Sequence, residues 1–460
     1  MNGFIQNFEI SDHLRKRAKA LIPGGAHTYA KGDDQYPILS PGFIARGSGC
    51  HVWDVDGNEY IEYGMGNRAV GLGHAYTPVL DAVRRELEFG CNFTRPSKIE
   101  VECATAFLQT IATADMVKFC KDGSDATSGA MRLARAVTGR DLIARCEDHP
   151  FFSTDDWFIG ATEMNAGIPA VVRELTLGFK YNDLESARRL FQTHPGKIAA
   201  FMLEPTRGEN PRDNFLQRLQ QLCHENGTLL IFDEMITGFR WHVGGAQKLY
   251  GVTPDLSCFG KALGNGFSIS ALAGKREFME QGGIDQAFLP RVFLLSTTHG
   301  AETHAMAAAM ATMHVYRQEP VIEHLVQQGK SLRSGIEQLI AAHELQNFFS
   351  VVGHPACLSY TTRDVDGKPS QAFRTLFLQE IIRRGILAPS LVVSYTHADV
   401  DIKRTIDAFD GALRVYRLAL ENGVENYLVG PASQVVFRRF NHPPQTEQYG
   451  PRATPEQIRG

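Results

Sequence analysis

Apolar residues along this chain fall into two rhythms. Short unbroken runs, such as MVKFC at 116–120, DLIARC at 141–146, AAFMLE at 199–204 and LLIFDE at 229–234, alternate with stretches whose apolar positions recur every three or four residues. Residues 125–137 and FLQRLQQLCHEN at 215–226 are examples of the second rhythm. Compact apolar runs read as strands buried on both faces, and the 3.6-residue rhythm reads as amphipathic helix. Their alternation predicts an α/β fold on a mainly parallel sheet.

The flanking regions read differently. HLRKRAKALI at 13–22 predicts a helix that Pro23-Gly24-Gly25 stops. From 43 to 63, FIARGSGCHVWDVDGNEYIEY predicts two or three short antiparallel strands, with Asp56-Gly57 as the hairpin signal. Helices are expected over Thr77–Phe89, with Pro78 near the start, and over Ile99–Thr110. Further on, 301–316 predicts a helix of small residues suited to close packing, followed by a long helix at about 319–343. Short strands are expected around 350–361 and 381–395, then a last helix near 399–421. From Asn441 onward, four prolines among polar residues predict an extended tail.

Composition narrows the functional classes. With 460 residues, 43% apolar and 21% charged, the chain is ample for a globular core without disulfide or metal staples. The net charge is −4 and no block of like charge stands out, so a nucleic-acid footprint is not indicated. No apolar run reaches the roughly 18 residues a membrane helix requires. The N-terminal MNGFIQNFEISDHLRKR lacks the apolar core of a signal peptide, and a cytoplasmic location is expected. Eight scattered cysteines form no CxxC pair and read as reduced, buried small apolar residues.

The chemistry gathers around LLIFDE. An apolar run ending in Asp233-Glu234 places two carboxylates at the carboxyl end of a buried strand, where open α/β sheets bind ligands. A P-loop NTPase also uses such a strand, but the chain contains no GxxxxGK[ST]. Lys261, in DLSCFGKALG, stands between apolar residues and glycine. A lone lysine there is ordinarily a stem that snorkels to water. The functional alternative is a desolvated amine able to form a Schiff base. Pyridoxal phosphate would also need a carboxylate at its ring nitrogen and a phosphate cradle. Asp233 can supply the first, and Gly123-Ser124 at the opening of a helix the second.

The segments GCHVWDVDGNEYIEY, GHAYTPVLDAV, AMRLARAVTGRD, LLIFDEMITGFR, DLSCFGKALGNG and the Thr297-Thr298 region resemble class III pyridoxal-phosphate aminotransferases over about residues 10–420. Within that class the chain is most similar to the glutamate-1-semialdehyde 2,1-aminomutase group. The resemblance implies a fold-type I enzyme: a large domain with a mainly parallel seven-stranded sheet and a smaller α+β domain from both chain ends. On this basis residues 1–65 and 321–440 form the small domain, 66–320 the large one and 441–460 the tail. It also implies a homodimer with shared active sites. Lys261 becomes the cofactor lysine and proton shuttle, Asp233 the partner of the ring nitrogen and Met235 a residue packed on the ring. Gly123 and Ser124 become the phosphate turn, and Glu204 a residue beside the cofactor. Thr298 becomes a threonine that reaches the neighbouring subunit's phosphate. The family's covering aromatic falls in Asp148-His149-Pro150-Phe151-Phe152, so Phe151 or Phe152 is expected to stack on the cofactor.

The chain departs from the mutase where that enzyme holds its substrate. Lys31 stands at the place of an arginine for the substrate carboxylate, and Val393 at the place of a glutamate. Arg68 and Arg95 add cations in loops that face the substrate in this family, although each could equally form an ordinary surface ion pair. The reading is therefore an intermolecular aminotransferase, moving an amino group from a donor such as glutamate to an anionic or polyhydroxylated ketone or aldehyde. The mutase reaction, decarboxylation or racemisation on the same cofactor, and a non-catalytic cofactor-binding protein are the alternatives.

Overall fold

The computed structural model describes residues 4–441. Apart from Asn441, the expected tail at 441–460 lies outside the described residues. Near the N-terminus, strands β1 (Ile44–Ser48), β2 (His51–Asp54) and β3 (Glu59–Glu62) form an antiparallel meander. Gly57, with φ of 86°, sits in the turn between β2 and β3, a backbone region open to glycine at little cost. The expected helix at 13–22 runs over Glu9–Leu21, so it begins four residues early.

The central sheet contains β4 (Met116–Cys120), β5 (Leu142–Cys146), β6 (Thr176–Phe179), β7 (Ile198–Leu203), β8 (Leu229–Asp233), β9 (Leu256–Phe259) and β10 (Ser270–Gly274). Their order is β4-β10-β9-β8-β7-β5-β6. The pairs from β6 through β9 are parallel, while β10 runs antiparallel to both β9 and β4. Every residue of β7 and β8 is buried, as unbroken apolar runs between two helical layers require.

Strand alternation divides the large core in two. Leu272 and Cys258 join a cluster with Met131, Phe191, Phe201 and Leu219, under helices Gly123–Thr138, Leu184–Thr193 and Phe215–Glu225. Ala271 and Phe259 join the opposite cluster, with Val83, Phe107 and Met313 from helices Thr77–Leu87, Lys98–Thr110 and Thr303–Gln318. Alanines at 305, 307, 308 and 309 are buried, and helix Thr303–Gln318 packs closely on helix Thr77–Leu87. Each fully buried Phe or Leu in these layers is worth about 2 kcal/mol of transfer free energy.

A second core unites the two ends of the chain. Strands β11 (Phe349–His354) and β12 (Cys357–Thr362) form a hairpin, followed by β13 (Ile386–Leu387) and β14 (Leu391–Val392). β13 lies parallel to β3, pairing Ile386 with Ile61, so the N-terminal meander gains a fourth strand from the C-terminal half. Helices Val321–Ala342, Gln371–Ile382 and Asp399–Asn422 cover this core with Leu332, Phe377 and Phe409. The span 381–395, read as strand from sequence, holds the end of helix Gln371–Ile382 and only two two-residue strands. Beyond the last helix the chain runs back across both cores. Ser433 N–H donates to Thr375 Oγ1 at 2.8 Å, Arg438 pairs with Asp34 at 2.7 Å, and the Phe437 ring lies 6.2 Å from that of Phe158.

Candidate active site

The carboxyl ends of β8 and β9 bring the acid and the amine together. Asp233 ends β8 and pairs in register with Cys258 of β9, and Lys261 follows two residues after β9. Asp233 is buried and its Oδ1 accepts the Met235 N–H at 2.9 Å. Burial and the neighbouring Glu204 raise its carboxyl above the usual range, while the Lys261 charge pulls it back. Burial also pushes the Lys261 amine below the usual lysine range, against Asp233 and Glu204, which favour its charged form. Arg68 and Arg207 add to the lowering. Lys261 has φ of 49°, a left-handed conformation that costs a non-glycine residue about 1 kcal/mol and is typical of functional positions.

Met235 ties three distant segments into one place. A Cβ built on Gly123 would lie 3.1 Å from Met235 Sδ, and one on Gly260 would lie 2.7 Å from the same sulfur. The helix opening at Gly123 and the turn carrying Lys261 therefore both press on the residue two beyond Asp233. Asp122 caps the helix by accepting the Asp125 N–H at 3.0 Å. The N–H groups of Gly123 and Ser124 have no hydrogen-bond partner among the described residues, which leaves a helix N-terminus able to receive an anion. Ser124 Oγ accepts the Thr154 N–H at 3.0 Å, and Thr127 Oγ1 donates to the Phe152 carbonyl at 2.9 Å, so this helix also anchors the 149–154 stretch.

Glu204, the residue after β7, is buried, with Oε1 accepting from Arg207 Nη1 at 2.5 Å. Its Oε2 is buried without a partner, an arrangement that is costly unless another group completes it. Glu234 plays a different part from its neighbour. It accepts from Thr237 Oγ1 and from the N–H groups of Ala246 at 2.9 Å and Gln247 at 2.7 Å, so it fixes a turn and a short helix.

A cavity of about 510 Å³ opens beside these groups, lined by Arg68, His149, Tyr181, Arg207, Trp241 and Cys357 among others. Within 148–152 it is Asp148, His149 and Pro150 that line the cavity. Phe151 and Phe152 instead place their rings 5.6 and 5.8 Å from that of Phe158. The expectation of Phe151 or Phe152 rested on the place of the family's covering aromatic in this stretch. His149 is buried, burial lowers its pKa, and its Nδ1 accepts the Glu204 N–H at 3.0 Å, which leaves the proton on Nε2.

Of the three cations expected to meet substrate, Arg68 lines the cavity, whereas Lys31 and Arg95 are exposed and line neither this cavity nor a second one of 310 Å³. Arg68 is presented by an unusual turn: Met65, Gly66, Asn67 and Arg68 all have positive φ, between 43° and 71°. Arg240, fully buried, donates to the Arg68 carbonyl at 2.9 Å and to the Val393 carbonyl at 3.1 Å and so braces this turn. Val393 itself is fully buried. Thr298 is exposed, and its carbonyl accepts from Asn92 Nδ2 at 3.0 Å. Arg207, His149 and Tyr181 were missed from sequence; Arg207, three residues after Glu204, was the one with a readable ion-pair spacing.

Pyridoxal phosphate fits these residues. The Lys261 amine, which burial pushes below the usual lysine range, the buried Asp233 with Oδ2 free of hydrogen bonds among the described residues, and the open N–H groups at Gly123-Ser124 supply the three contacts its aldehyde, ring nitrogen and phosphate need. Together with the sheet order, they define a fold-type I pyridoxal-phosphate enzyme.

The chain belongs to the class III aminotransferases: the family model for aminotransferase class-III matches residues 29–369. It is 34% identical over 417 residues to the glutamate-1-semialdehyde 2,1-aminomutase of Desulfitobacterium hafniense (strain DSM 10664 / DCB-2), covering 85% of this chain and 95% of that protein. Among solved structures it is similar to the PLP internal aldimine form of the FumI protein of Sphingopyxis sp. MTA144, with a TM-score of 0.81 and 29% identity over 90% of this chain and 97% of that one. It is also similar to an omega-transaminase from Sphaerobacter thermophilus, with a TM-score of 0.79 and 27% identity over 88% and 98% of the two chains.

Proposed function

We propose that this enzyme transfers an amino group between two molecules, from a donor such as glutamate to a ketone or aldehyde carrying an anionic or polyhydroxylated group. The observation that carries this reading is Arg68. Arg68 lines both cavities, its guanidinium has no carboxylate partner among the described residues, and its charge acts on the Lys261 amine. Supporting it, the position where the mutases keep a glutamate holds Val393, whose buried side chain offers no charge.

Pyridoxal phosphate, when bound, supplies the amine carrier and an electron sink. Lys261, its amine pushed below the usual lysine range by burial, would take on its Nζ the proton that leaves the substrate carbon and give it back to carbon within the same half-reaction. Asp233 would hold a protonated ring nitrogen, with Met235 N–H fixing the carboxylate. Gly123 and Ser124 would hold the phosphate, with Met235 packed beside them. Because His149 lines the cavity and Phe151 and Phe152 do not, His149 is the residue of this stretch that would cover the cofactor face. Exposed Thr298, together with exposed Ile284, Phe288 and Phe293, supports a homodimer in which this threonine reaches the neighbouring site.

The mutase reading is favoured by the names of the 34%-identical relatives. The test is to supply glutamate-1-semialdehyde alone and, separately, an amino donor with a panel of carbonyl acceptors. Transfer only when both partners are present supports the proposal; conversion of the semialdehyde without a second keto compound overturns it.

A further inference from the structure

One group of side chains in the core shared by the two chain ends carries donors that suit a metal ion. Cys50 and His51 are neighbours at the turn that opens β2, and Asp401 stands in the first turn of helix Asp399–Asn422. Cys50 lies in the turn rather than in the strand, so strand alternation does not send its side chain away from that of His51. A sulfur, a ring nitrogen and a carboxylate oxygen from these three residues lie within 4.8 Å of one another. Cys50 Sγ donates to Asp401 Oδ2 at 3.4 Å, and His51 Nε2 lies 3.1 Å from Asp401 Oδ1. A tetrahedral zinc ion, about 2.3 Å from sulfur and about 2.0 Å from nitrogen and oxygen, sets its ligand atoms about 3.3–3.6 Å apart. Small side-chain rotations bring the three donors to that spacing.

The surroundings fit a cation as well. His51 Nδ1 lies 2.8 Å from Glu59 Oε1, and a carboxylate behind a metal-bound imidazole orients the ring and strengthens it as a ligand. Asp401 Oδ2 accepts the Ala398 N–H at 3.0 Å, which holds the carboxylate in place. Cys50 and Asp401 are buried, whereas the His51 side chain is 22% exposed, so an ion has a path in from that side. Neighbouring His397 does not join the donor set. Burial keeps its ring neutral, and its Nδ1 accepts the Ser394 N–H at 3.0 Å, which leaves the proton on Nε2. The protein thus offers three ligands, with the fourth position left to water. A thiolate and an imidazole beside one carboxylate favour zinc over magnesium or calcium, which take oxygen donors.

We propose that Cys50, His51 and Asp401 bind a zinc ion that joins the β1–β2 hairpin to the last long helix. In the metal-free chain protons hold the same place: the thiol proton shared with Asp401, and a proton between His51 Nε2 and Asp401. The ion displaces both, and the thiolate and carboxylate balance its two charges. His51 and Asp401 are 350 residues apart in sequence, so the ion closes a very long loop. Its role is to hold the two chain ends together, apart from the chemistry at Lys261.

The test uses reconstituted holoenzyme, treated with EDTA and dialysed free of chelator and excess cofactor. It is titrated with zinc chloride against a chromophoric zinc chelator, and bound zinc is counted by mass spectrometry. One equivalent per chain is expected, with a dissociation constant of about 1 µM or tighter. C50S and H51Q are each expected to weaken binding by about a hundredfold or more, with thermal melts in EDTA confirming that they fold. H343Q, whose His343–Asp410 pair lacks a thiol, is the control and is expected to bind as wild type does. X-ray absorption at the zinc edge of the wild-type enzyme requires no variant, and one sulfur neighbour at about 2.3 Å is expected. Absence of a bound equivalent at that affinity, zinc without a sulfur neighbour, or undiminished binding in C50S overturns the proposal. Equal loss of zinc in H343Q also overturns it.

Discussion

Asp233 and Lys261 emerge at the same edge of the sheet because their strands are parallel neighbours: Asp233 stands opposite Cys258, three residues before the lysine. Parallel pairing sends both carboxyl ends to one side, so the acid and the amine share a site without any loop having to carry them there. D233N keeps the shape of the side chain but removes the charge that would hold a protonated ring nitrogen. Half-reaction rates followed by the cofactor's spectral change are expected to fall by about a hundredfold or more, while the cofactor still binds. An unaltered rate would show that Asp233 does not serve the ring.

The glycine before Lys261 is fixed by space. A Cβ at Gly260 would meet Met235 Sδ at 2.7 Å as well as Ser270 Oγ, so G260A must displace the segment that holds the lysine. Destabilisation of about 1–3 kcal/mol and weaker cofactor loading are expected, measured by denaturant unfolding and by absorbance after dialysis. Gly139, whose added Cβ would meet nothing within 4 Å, is the matched control: G139A carries only the strain of its positive φ and is expected to load normally.

The Glu204–Arg207 pair sets a charge balance at the cavity rim. R207A leaves the buried Glu204 without its partner and is expected to cost about 2–4 kcal/mol by urea unfolding. E204Q combined with R207A is expected to cost less than R207A alone, since the uncompensated charge is then gone. Additive losses would show that the two side chains do not act as a pair.

His51 predicts a pH dependence far from the active site. Its Nε2 meets Asp401 Oδ1 at 3.1 Å and its Nδ1 meets Glu59 Oε1 at 2.8 Å. The hydrogen bond with Asp401 raises its pKa above the ordinary value, against partial burial, with both carboxylates adding to the rise. A raised folded pKa contributes stability that is fully present below about pH 6.5 and is lost as pH rises through the folded value. H51Q is expected to flatten that decline in thermal melts between about pH 6 and 9, an effect on the order of 1 kcal/mol. A wild-type curve that rises with pH over this window would contradict the assignment.

The sequence made the strand ends readable where chemistry and pattern coincided. AAFMLE and LLIFDE are compact apolar runs that end in carboxylates, and the structure places them as β7 and β8 with Glu204 and Asp233 at their ends. Strands β6, β9 and β10 were harder: each is four or five residues long, and TLGF and SALAG contain glycine and alanine that carry little strand signal. The turn at Met65–Arg68 could not be read, because three of its four positive-φ residues are not glycine and only the tertiary bracing by Arg240 holds them. The same holds for the 310 Å³ cavity, whose walls come from residues 30–36, 64–68, 371–390 and 433–436. No local spacing encodes that meeting.

Which lysine carries the cofactor can be read chemically. Borohydride reduction of the reconstituted holoenzyme, followed by proteolysis and peptide mass spectrometry, would fix the label to one residue. The expected result is a pyridoxyl group on Lys261 alone, and loss of both label and visible absorbance in K261A. A label on another lysine, or a coloured K261A enzyme with the cofactor still covalently held, would contradict it.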